Sequence, residues 1–258
     1  MEELDETKAP LMEHLIELRS RLLWSAVAFA LAFGVSLYFA RPIFAWLAQP
    51  LLDAGQKEIY QIKVFEAFFS QMKVAFFAAL MISFPVLATQ IWRFVAPGLY
   101  AKEKRAFLPF LMMTPILFTA GAALAYYVTI PVALKFLLGY GGQLGGITQK
   151  TLPGVGDYLD FATKFIFGFG LAFQLPVLLM LLERAGILTL AQLKSGRRYA
   201  IVGMAAVSAV LTPPDLLSQI LLLVPLILLY EFAIVGIWFT GRSRNGAAEG
   251  EANADPAP

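Results

Sequence analysis

The sequence contains no cysteine and a single histidine, His14. Disulfide bridges and cysteine metal sites are therefore excluded, and one histidine cannot form a multi-histidine site within one chain. Enzyme motifs are also missing: there is no H-E-x-x-H, no glycine-rich phosphate loop and no G-x-S-x-G. We therefore expect no metal, no cofactor, no nucleic-acid partner and no enzymatic activity.

Charge is scarce and apolar residues are abundant. Charged residues make up 15% of the 258 residues, whereas a soluble domain has about 25%. The hydrophobic share is 59% and the mean hydropathy is +0.70. The composition predicts an all-α integral membrane protein.

The apolar residues form six stretches, and each is interpreted as a transmembrane helix. They are 22–40, 70–91, 107–127, 161–182, 199–211 and 216–239. A helix rises 1.5 Å per residue and the hydrocarbon core is about 30 Å thick, so about 20 residues are needed. Stretch 199–211 covers only about 20 Å and requires a thinner bilayer or a loop shielded by protein. The alternative is one broken helix over 199–239, which Thr212-Pro-Pro-Asp215 disfavours because it indicates a helix stop followed by an N-cap.

The basic residues indicate the orientation. Thirteen of the twenty Lys and Arg residues flank one side of the predicted spans and five flank the other, while Lys73 and Lys164 fall within spans or at their ends. Basic residues concentrate on the cytoplasmic side of membrane proteins. Both termini are therefore predicted to be cytoplasmic.

Three regions follow along the chain. Residues 1–21 form a cytoplasmic segment with an amphipathic helix, residues 22–240 a bundle with its last two spans short, and residues 241–258 a disordered cytoplasmic tail. The acidic N-terminus lacks the basic region of a cleavable signal peptide, so the first span is expected to remain as an anchor. Prolines in or beside the spans predict kinked helices and a concave bundle. The two outward connections are expected to fold against it.

Two carboxylates lie in charged segments beside apolar stretches. Glu17 shares a helical face with Arg21 at i and i+4, and Glu103 is surrounded by Lys102, Lys104 and Arg105. Each carboxylate fits an ordinary role. Glu17 would form a solvated ion pair on an interfacial helix, and Glu103 would partly offset the positive charge of a basic loop. Either also fits the recognition of arginine, because a carboxylate can accept two parallel bonds from a guanidinium.

Polar residues inside spans mark packing or functional sites, because they are costly there. Gln174 fits either a hydrogen bond between helices or the docking of a partner. Glu231 is expected to reach the interface or to pair with a basic residue. Asp215, after Pro213 and Pro214, is a candidate N-cap.

Three motifs together resemble one family. His14-Leu-Ile-Glu-Leu-Arg-Ser-Arg-Leu22, Phe94-Val-Ala-Pro-Gly-Leu-Tyr100 with Glu103, and Leu211-Thr-Pro-Pro-Asp215 with Ser218-Gln219 resemble TatC, the multispanning receptor subunit of the twin-arginine protein translocase. The resemblance covers residues 10–239, and the motif spacing and six-span topology match as well.

The resemblance implies a core receptor in the inner membrane of a prokaryote. It would bind the Arg-Arg signal peptides of folded cargo and dock single-span TatB-like and TatA-like subunits within a larger complex that contains further copies of this chain. The implied signal-peptide site comprises Glu17, Glu103, Arg19, Arg21 and Phe94. The implied docking residues are Leu211, Thr212, Gln219 and Gln174, and the implied structural positions are Pro50, Phe68, Pro85, Tyr126, Pro213, Pro214, Asp215 and Glu231.

One residue departs from the family pattern. Gln174 stands where the family often has glutamate, and glutamine cannot titrate near neutral pH. This residue disfavours a mechanism that takes up a proton at this position, while a contact with a partner is retained. The alternative function is a small-molecule secondary transporter, but such folds show paired repeats with broken helices, and we find one short span without a counterpart.

Overall fold

The computed structural model describes residues 3–56, 58–61, 63–99, 108–139, 141–144, 147–149, 154–212 and 215–252. These residues form a helical bundle. Its elements are α1 (Glu3–Tyr38), α2 (Ala40–Leu47), α3 (Gln49–Asp53), α4 (Glu66–Leu99), α5 (Leu108–Leu124), a π-helical turn (Ala125–Thr129), α6 (Ile130–Leu138), β1 (Gly142–Leu144), β2 (Ile147–Gln149), α7 (Val155–Ala172), α8 (Leu175–Arg184), α9 (Leu190–Ser195), α10 (Arg197–Leu211) and α11 (Leu216–Ala252).

Five segments of the described chain are long and apolar enough to cross a membrane. They are Leu15–Tyr38, Glu66–Phe94, Phe110–Leu138, Val155–Arg184 and Leu216–Phe239. Large apolar side chains point outward along them, with Leu31 69%, Ile116 60% and Phe232 68% exposed. A soluble protein rarely exposes continuous apolar surface of this kind, whereas lipid accommodates it. The prediction of a multi-pass helical membrane protein is confirmed.

The remaining predicted span corresponds to α10, which has 15 residues and is about 22 Å long. It packs antiparallel against α11: Arg197 at its start contacts Glu231, and Ser208 near its end contacts Gln219. The two helices are separate, as the Thr212–Asp215 sequence predicted.

Some boundaries differ from the predictions. Helix α1 runs without interruption through residues 21 and 22, because no helix breaker lies between the amphipathic segment and the first span. Helix α11 continues past Gly241 to Ala252, where disorder was expected, and the alanine and glutamate residues of this segment favour helix. A short antiparallel hairpin, β1–β2, was also not predicted.

The connection between α1 and α4 folds against the bundle, as expected. Leu47 and Leu51 of α2 and α3 are 1% and 3% exposed and belong to the main core. Helix α7 lies at the centre of that core, where Phe165 and Phe169 are both 1% exposed.

Helices α5 and α7 approach closely at two glycines. A Cβ atom on Gly121 would lie 2.5 Å from the Phe169 carbonyl oxygen, and one on Gly170 would lie 2.6 Å from the Phe118 ring. Small residues at helix interfaces in membranes allow backbones to come this close. Helices α5 and α7 can therefore pack this closely only with glycine at position 121.

Candidate functional site

The Glu17 carboxylate holds a guanidinium in this structure. Arg21 lies one turn further along α1, and its Nε donates to Glu17 Oε1 at 3.0 Å. A second guanidinium nitrogen of Arg21 contacts the same oxygen. The Glu17 and Arg21 side chains are 36% and 20% exposed, so the pair is reachable from outside. The predicted i,i+4 contact is confirmed, and such pairs contribute about 0.3–0.5 kcal/mol to a helix.

Arg19 does not share this face. Residues two apart on a helix point to nearly opposite sides, so Arg19 is directed away from Glu17 and is exposed. The structure therefore separates Arg19 from the Glu17–Arg21 pair, although the three residues are close in sequence.

Phe94 lies near the end of α4 and is half-buried. Helices α1 and α4 pack against each other, and Phe29 of α1 and Phe76 of α4 are in edge-to-face contact with their ring centroids 5.1 Å apart.

Glu103, the second predicted acceptor, lies outside the described residues. Its connection leaves α4 at Leu99 and enters α5 at Leu108.

The turn between α10 and α11 is tied by polar side chains. Thr212 is buried, and its hydroxyl donates to the Ser208 carbonyl at 2.8 Å. The Ser208 hydroxyl donates to the Gln219 carbonyl at 2.7 Å, and Gln219 Nε2 donates to the Ala205 carbonyl at 3.3 Å. Asp215 Oδ1 accepts from the Ser218 amide at 2.7 Å, which confirms the predicted N-cap.

The predicted docking residues are thus largely engaged within the chain itself. Thr212 and Gln219 bond their own helix pair, and Leu211 lies against Gly168 of α7. Pro213 and Pro214 lie outside the described residues. The strongly exposed positions beside this turn are Val210 at 85% and Leu216 at 74%. Sequence spacing did not single out either.

Gln174 lies at the break between α7 and α8. The break follows from Pro176, which has no amide hydrogen to donate to the carbonyl four residues earlier. Gln174 Nε2 donates to the Thr114 carbonyl of α5 at 2.8 Å, so the expected hydrogen bond between helices is present. Its Oε1 is buried and has no hydrogen-bond partner among the described residues.

Glu231 pairs with a basic residue, as predicted. Arg197 donates to Glu231 Oε2 at 2.7 Å, and both side chains are nearly half exposed. The neighbouring Tyr230 donates from its buried hydroxyl to the Leu193 carbonyl at 2.8 Å. Together these bonds fasten α11 to the α9–α10 corner.

Two tyrosines hold the end of α2. The Tyr126 hydroxyl, in the π-helical turn, donates to the Trp46 carbonyl at 2.6 Å, and its ring stacks on Trp46 at 4.0 Å. The Tyr158 hydroxyl donates to the Leu47 carbonyl at 2.5 Å. Tyr126 matched a family position in the sequence, whereas Tyr158 was missed because nothing in the sequence reveals its distant carbonyl partner.

The other predicted structural positions differ in environment. Pro50 is buried in the first turn of α3. Pro85 is exposed within α4, and Phe68 is 62% exposed with its ring against Phe69. In the adjoining loop the Tyr60 hydroxyl donates to Glu58 Oε2 at 2.5 Å, and this hydrogen bond, together with the carboxylate charge, raises the pKa of Tyr60.

Known proteins of one family are similar to this chain over most of its length. Residues 13–225 match the family model described as TatC, Sec-independent protein translocase protein. A Sec-independent protein translocase protein TatC from Magnetococcus marinus is 46% identical over 231 residues, covering 89% of this chain and 84% of the relative. One from Aquifex aeolicus is 40% identical over 226 residues, covering 87% and 93% respectively.

A solved structure agrees with the fold. A crystal structure of the twin arginine translocase receptor TatC superposes with a TM-score of 0.73 at 40% identity. The match covers 86% of this chain and 96% of that one.

Proposed function

The chain belongs to the TatC family of Sec-independent protein translocase proteins, and from this membership we propose that it is the receptor for Arg-Arg signal peptides of folded cargo. It is a component of the Tat translocase in the inner membrane of a prokaryote, where it works with partner subunits. The solved relative is itself described as a twin arginine translocase receptor.

The observation that carries the proposal is the Glu17 carboxylate. It lies at the start of a span, is partly exposed and already accepts hydrogen bonds from a guanidinium. A signal-peptide arginine presents the same donor group as Arg21. Glu17 is therefore chemically suited to take one arginine of the peptide, in exchange for Arg21 or alongside it.

Glu103 supplies the second acceptor in this proposal. Adjacent side chains of an extended peptide point to opposite sides, so two neighbouring guanidiniums need two separate carboxylates. Arg19, Arg21 and Phe94 complete the proposed site. Arg21 acts through Glu17, Phe94 offers an apolar wall, and the outward-facing Arg19 is suited to lipid headgroups or to the peptide flank.

We further propose six spans with both termini in the cytoplasm. Helix α10 runs antiparallel to α11, which supports an additional crossing by a short helix. Thirteen of the twenty Lys and Arg residues flank one side of the predicted spans. A cytoplasmic position for this side satisfies the rule that basic residues stay inside.

The docking of single-span TatB-like and TatA-like subunits is proposed at the α10–α11 turn. Leu211, Thr212 and Gln219 shape this turn from within, and the exposed Val210 and Leu216 offer the contact surface. Gln174 is a further docking residue in this proposal, because its buried Oε1 can accept a hydrogen bond from a partner subunit. A proton uptake at Gln174 is not part of the proposal, since an amide does not titrate.

Replacing the two arginines of a bound signal peptide with lysines should weaken binding about tenfold, although the charge is unchanged. An ammonium cannot form the parallel bonds of a guanidinium, and hydrogen bonds to charged groups contribute about 1.5–3 kcal/mol each. Binding is measured by site-specific cross-linking to membrane vesicles. Inverted vesicles should bind the Arg-Arg peptide and right-side-out vesicles should not.

Equal binding of both peptides would indicate non-specific electrostatics and would overturn recognition of arginine. Binding to right-side-out vesicles alone would overturn the orientation.

A cysteine at position 210 should cross-link to a single-span partner subunit that carries its own cysteine. The chain has no native cysteine, so each introduced thiol is unique. Val210→Cys and Leu216→Cys should give several-fold more product than Leu31→Cys on α1, which is similarly exposed at 69%. Equal yields at all three positions would contradict a docking surface at this turn.

A further inference from the structure

A cleft of about 530 Å³ opens where α4 and α7 begin. We call it the α4–α7 cleft. Its lining includes Lys63, Phe65, Phe69, Lys73, Asp157 and Asp160. Two candidate spans begin at its edge, at Glu66 and Val155, so it lies at the depth where hydrocarbon gives way to lipid headgroups.

Backbone contacts hold the cleft in shape. Glu66 bridges its two sides, because Oε1 accepts from the Gly156 amide at 2.7 Å and Oε2 accepts from the Lys63 amide at 3.0 Å. The Val155 amide donates to the Tyr60 carbonyl at 3.0 Å, which joins the loop before α4 to the start of α7. A ligand that enters would therefore meet a preformed site, which lowers the cost of binding.

The remaining charges in the cleft balance. Lys73 Nζ lies 2.7 Å from Asp160 Oδ1, and both side chains are 48% exposed. Within the described part of the chain, the Lys63 ammonium and the Asp157 carboxylate have no ion-pair partner, and both residues are exposed. One available cation and one available anion complement a ligand that carries both charges.

The mouth of the cleft is apolar. Phe65 and Phe69 are 70% and 59% exposed, and Val64 beside them is 92% exposed. Apolar and aromatic side chains at a membrane edge contact the upper part of lipid acyl chains. The complementary ligand is therefore an amphiphile with a zwitterionic head.

We propose that the α4–α7 cleft binds a phospholipid whose headgroup carries a phosphate and a primary ammonium. The phosphate lies toward Lys63, the ammonium toward Asp157, and the acyl chains run along Phe65 and Phe69. A primary ammonium donates hydrogen bonds to carboxylates, whereas a quaternary choline group has no N–H to donate. The cleft therefore distinguishes ethanolamine from choline headgroups.

Native mass spectrometry of the purified full chain tests this in nanodiscs of phosphatidylethanolamine, phosphatidylcholine and phosphatidylglycerol in equal parts. The parent chain should retain phosphatidylethanolamine about two- to fivefold better than phosphatidylcholine, the range expected for one half-exposed ion pair. Asp157→Asn should remove this preference and Asp157→Glu should keep it. Lys63→Gln should lower the retention of all three lipids, whereas Lys164→Gln, an exposed position on α7 outside the cleft lining, should change nothing.

Four outcomes of this lipid comparison would each overturn the proposal. They are equal retention of ethanolamine and choline lipids by the parent, an unchanged preference in Asp157→Asn, an unchanged retention in Lys63→Gln, and a matching loss in Lys164→Gln. Soluble phosphoethanolamine at millimolar concentration should not displace the lipid, because it lacks acyl chains. If it does, the cleft binds a free zwitterion and the assignment to a lipid fails.

Asp157 also stabilises the first turn of α7 through the helix dipole. Thermal unfolding of each variant in the same nanodiscs separates this effect from lipid binding. A lipid preference that is lost only in variants that unfold earlier, and restored when they are cooled, would argue for a purely structural role and against the proposal.

Discussion

A chain that carries both Glu17→Ala and Glu103→Ala should bind an Arg-Arg signal peptide about tenfold to hundredfold more weakly than the parent. Each substitution removes a charged acceptor. After solvent screening, a partly exposed ion pair contributes about 1 kcal/mol to binding, and about 1.4 kcal/mol corresponds to a tenfold change in affinity. The upper part of the range applies if bound peptide shields the carboxylates from water. Fluorescence anisotropy with a labelled peptide and purified protein in nanodiscs measures the loss.

Arg21 allows direct recognition to be distinguished from a change in charge. Glu17→Ala removes the partner of Arg21 and leaves an additional positive charge that repels the peptide. The Glu17→Ala and Arg21→Gln pair restores the charge balance without restoring the acceptor. Binding by this pair should stay weaker than that of the parent, and Glu183→Ala, a carboxylate in the last turn of α8, should bind normally.

Parent-like binding by the Glu17 and Glu103 double variant would refute the proposed site. Membership of the TatC family would stand, because it rests on the whole chain and not on these residues.

Replacing Gly121 with alanine should destabilise the bundle by about 1–3 kcal/mol, the usual cost of an overpacked contact. The new methyl group would lie 2.5 Å from the Phe169 carbonyl oxygen and 2.7 Å from Phe173 Cγ. The nearer obstacle is backbone, which cannot rotate away, so α5 and α7 must separate. Thermal unfolding of the purified protein in detergent should show a lower midpoint.

Gly203→Ala in α10 is the matched control. A Cβ atom there meets nothing within 4 Å, and alanine favours helix by up to about 1 kcal/mol. Its midpoint should be unchanged or higher. Equal midpoints for the two variants would show that the close approach at Gly121 does not limit stability.

Local spacing predicted the contacts that lie within a few residues of each other. Glu17 and Arg21 are one helical turn apart, and Asp215 caps the helix that begins beside it. These interactions follow from the geometry of a single helix, so a linear pattern is enough to anticipate them. Only the type of partner could be anticipated for Glu231, because Arg197 lies 34 residues away on another helix.

Contacts between distant segments could not be anticipated in the same way. Nothing in the sequence assigns the Tyr158 hydroxyl to the Leu47 carbonyl, or brings Lys73 of α4 to Asp160 of α7. The docking surface illustrates the same limit. Thr212 and Gln219 matched the family pattern, yet their side chains bond their own helices, and exposure selects Val210 and Leu216 instead.

The sequence by itself determined that this is a multi-pass helical membrane protein of the TatC family, because hydrophobic length and charge placement act along the chain. The tertiary structure decided which polar groups pair, which remain exposed and where a cleft opens between α4 and α7. These properties depend on how separate helices pack, and packing depends on contacts between residues that are far apart in sequence. The pairing of Glu17 with Arg21 is local, whereas the contact between Phe29 of α1 and Phe76 of α4 is set by the packing of two long helices.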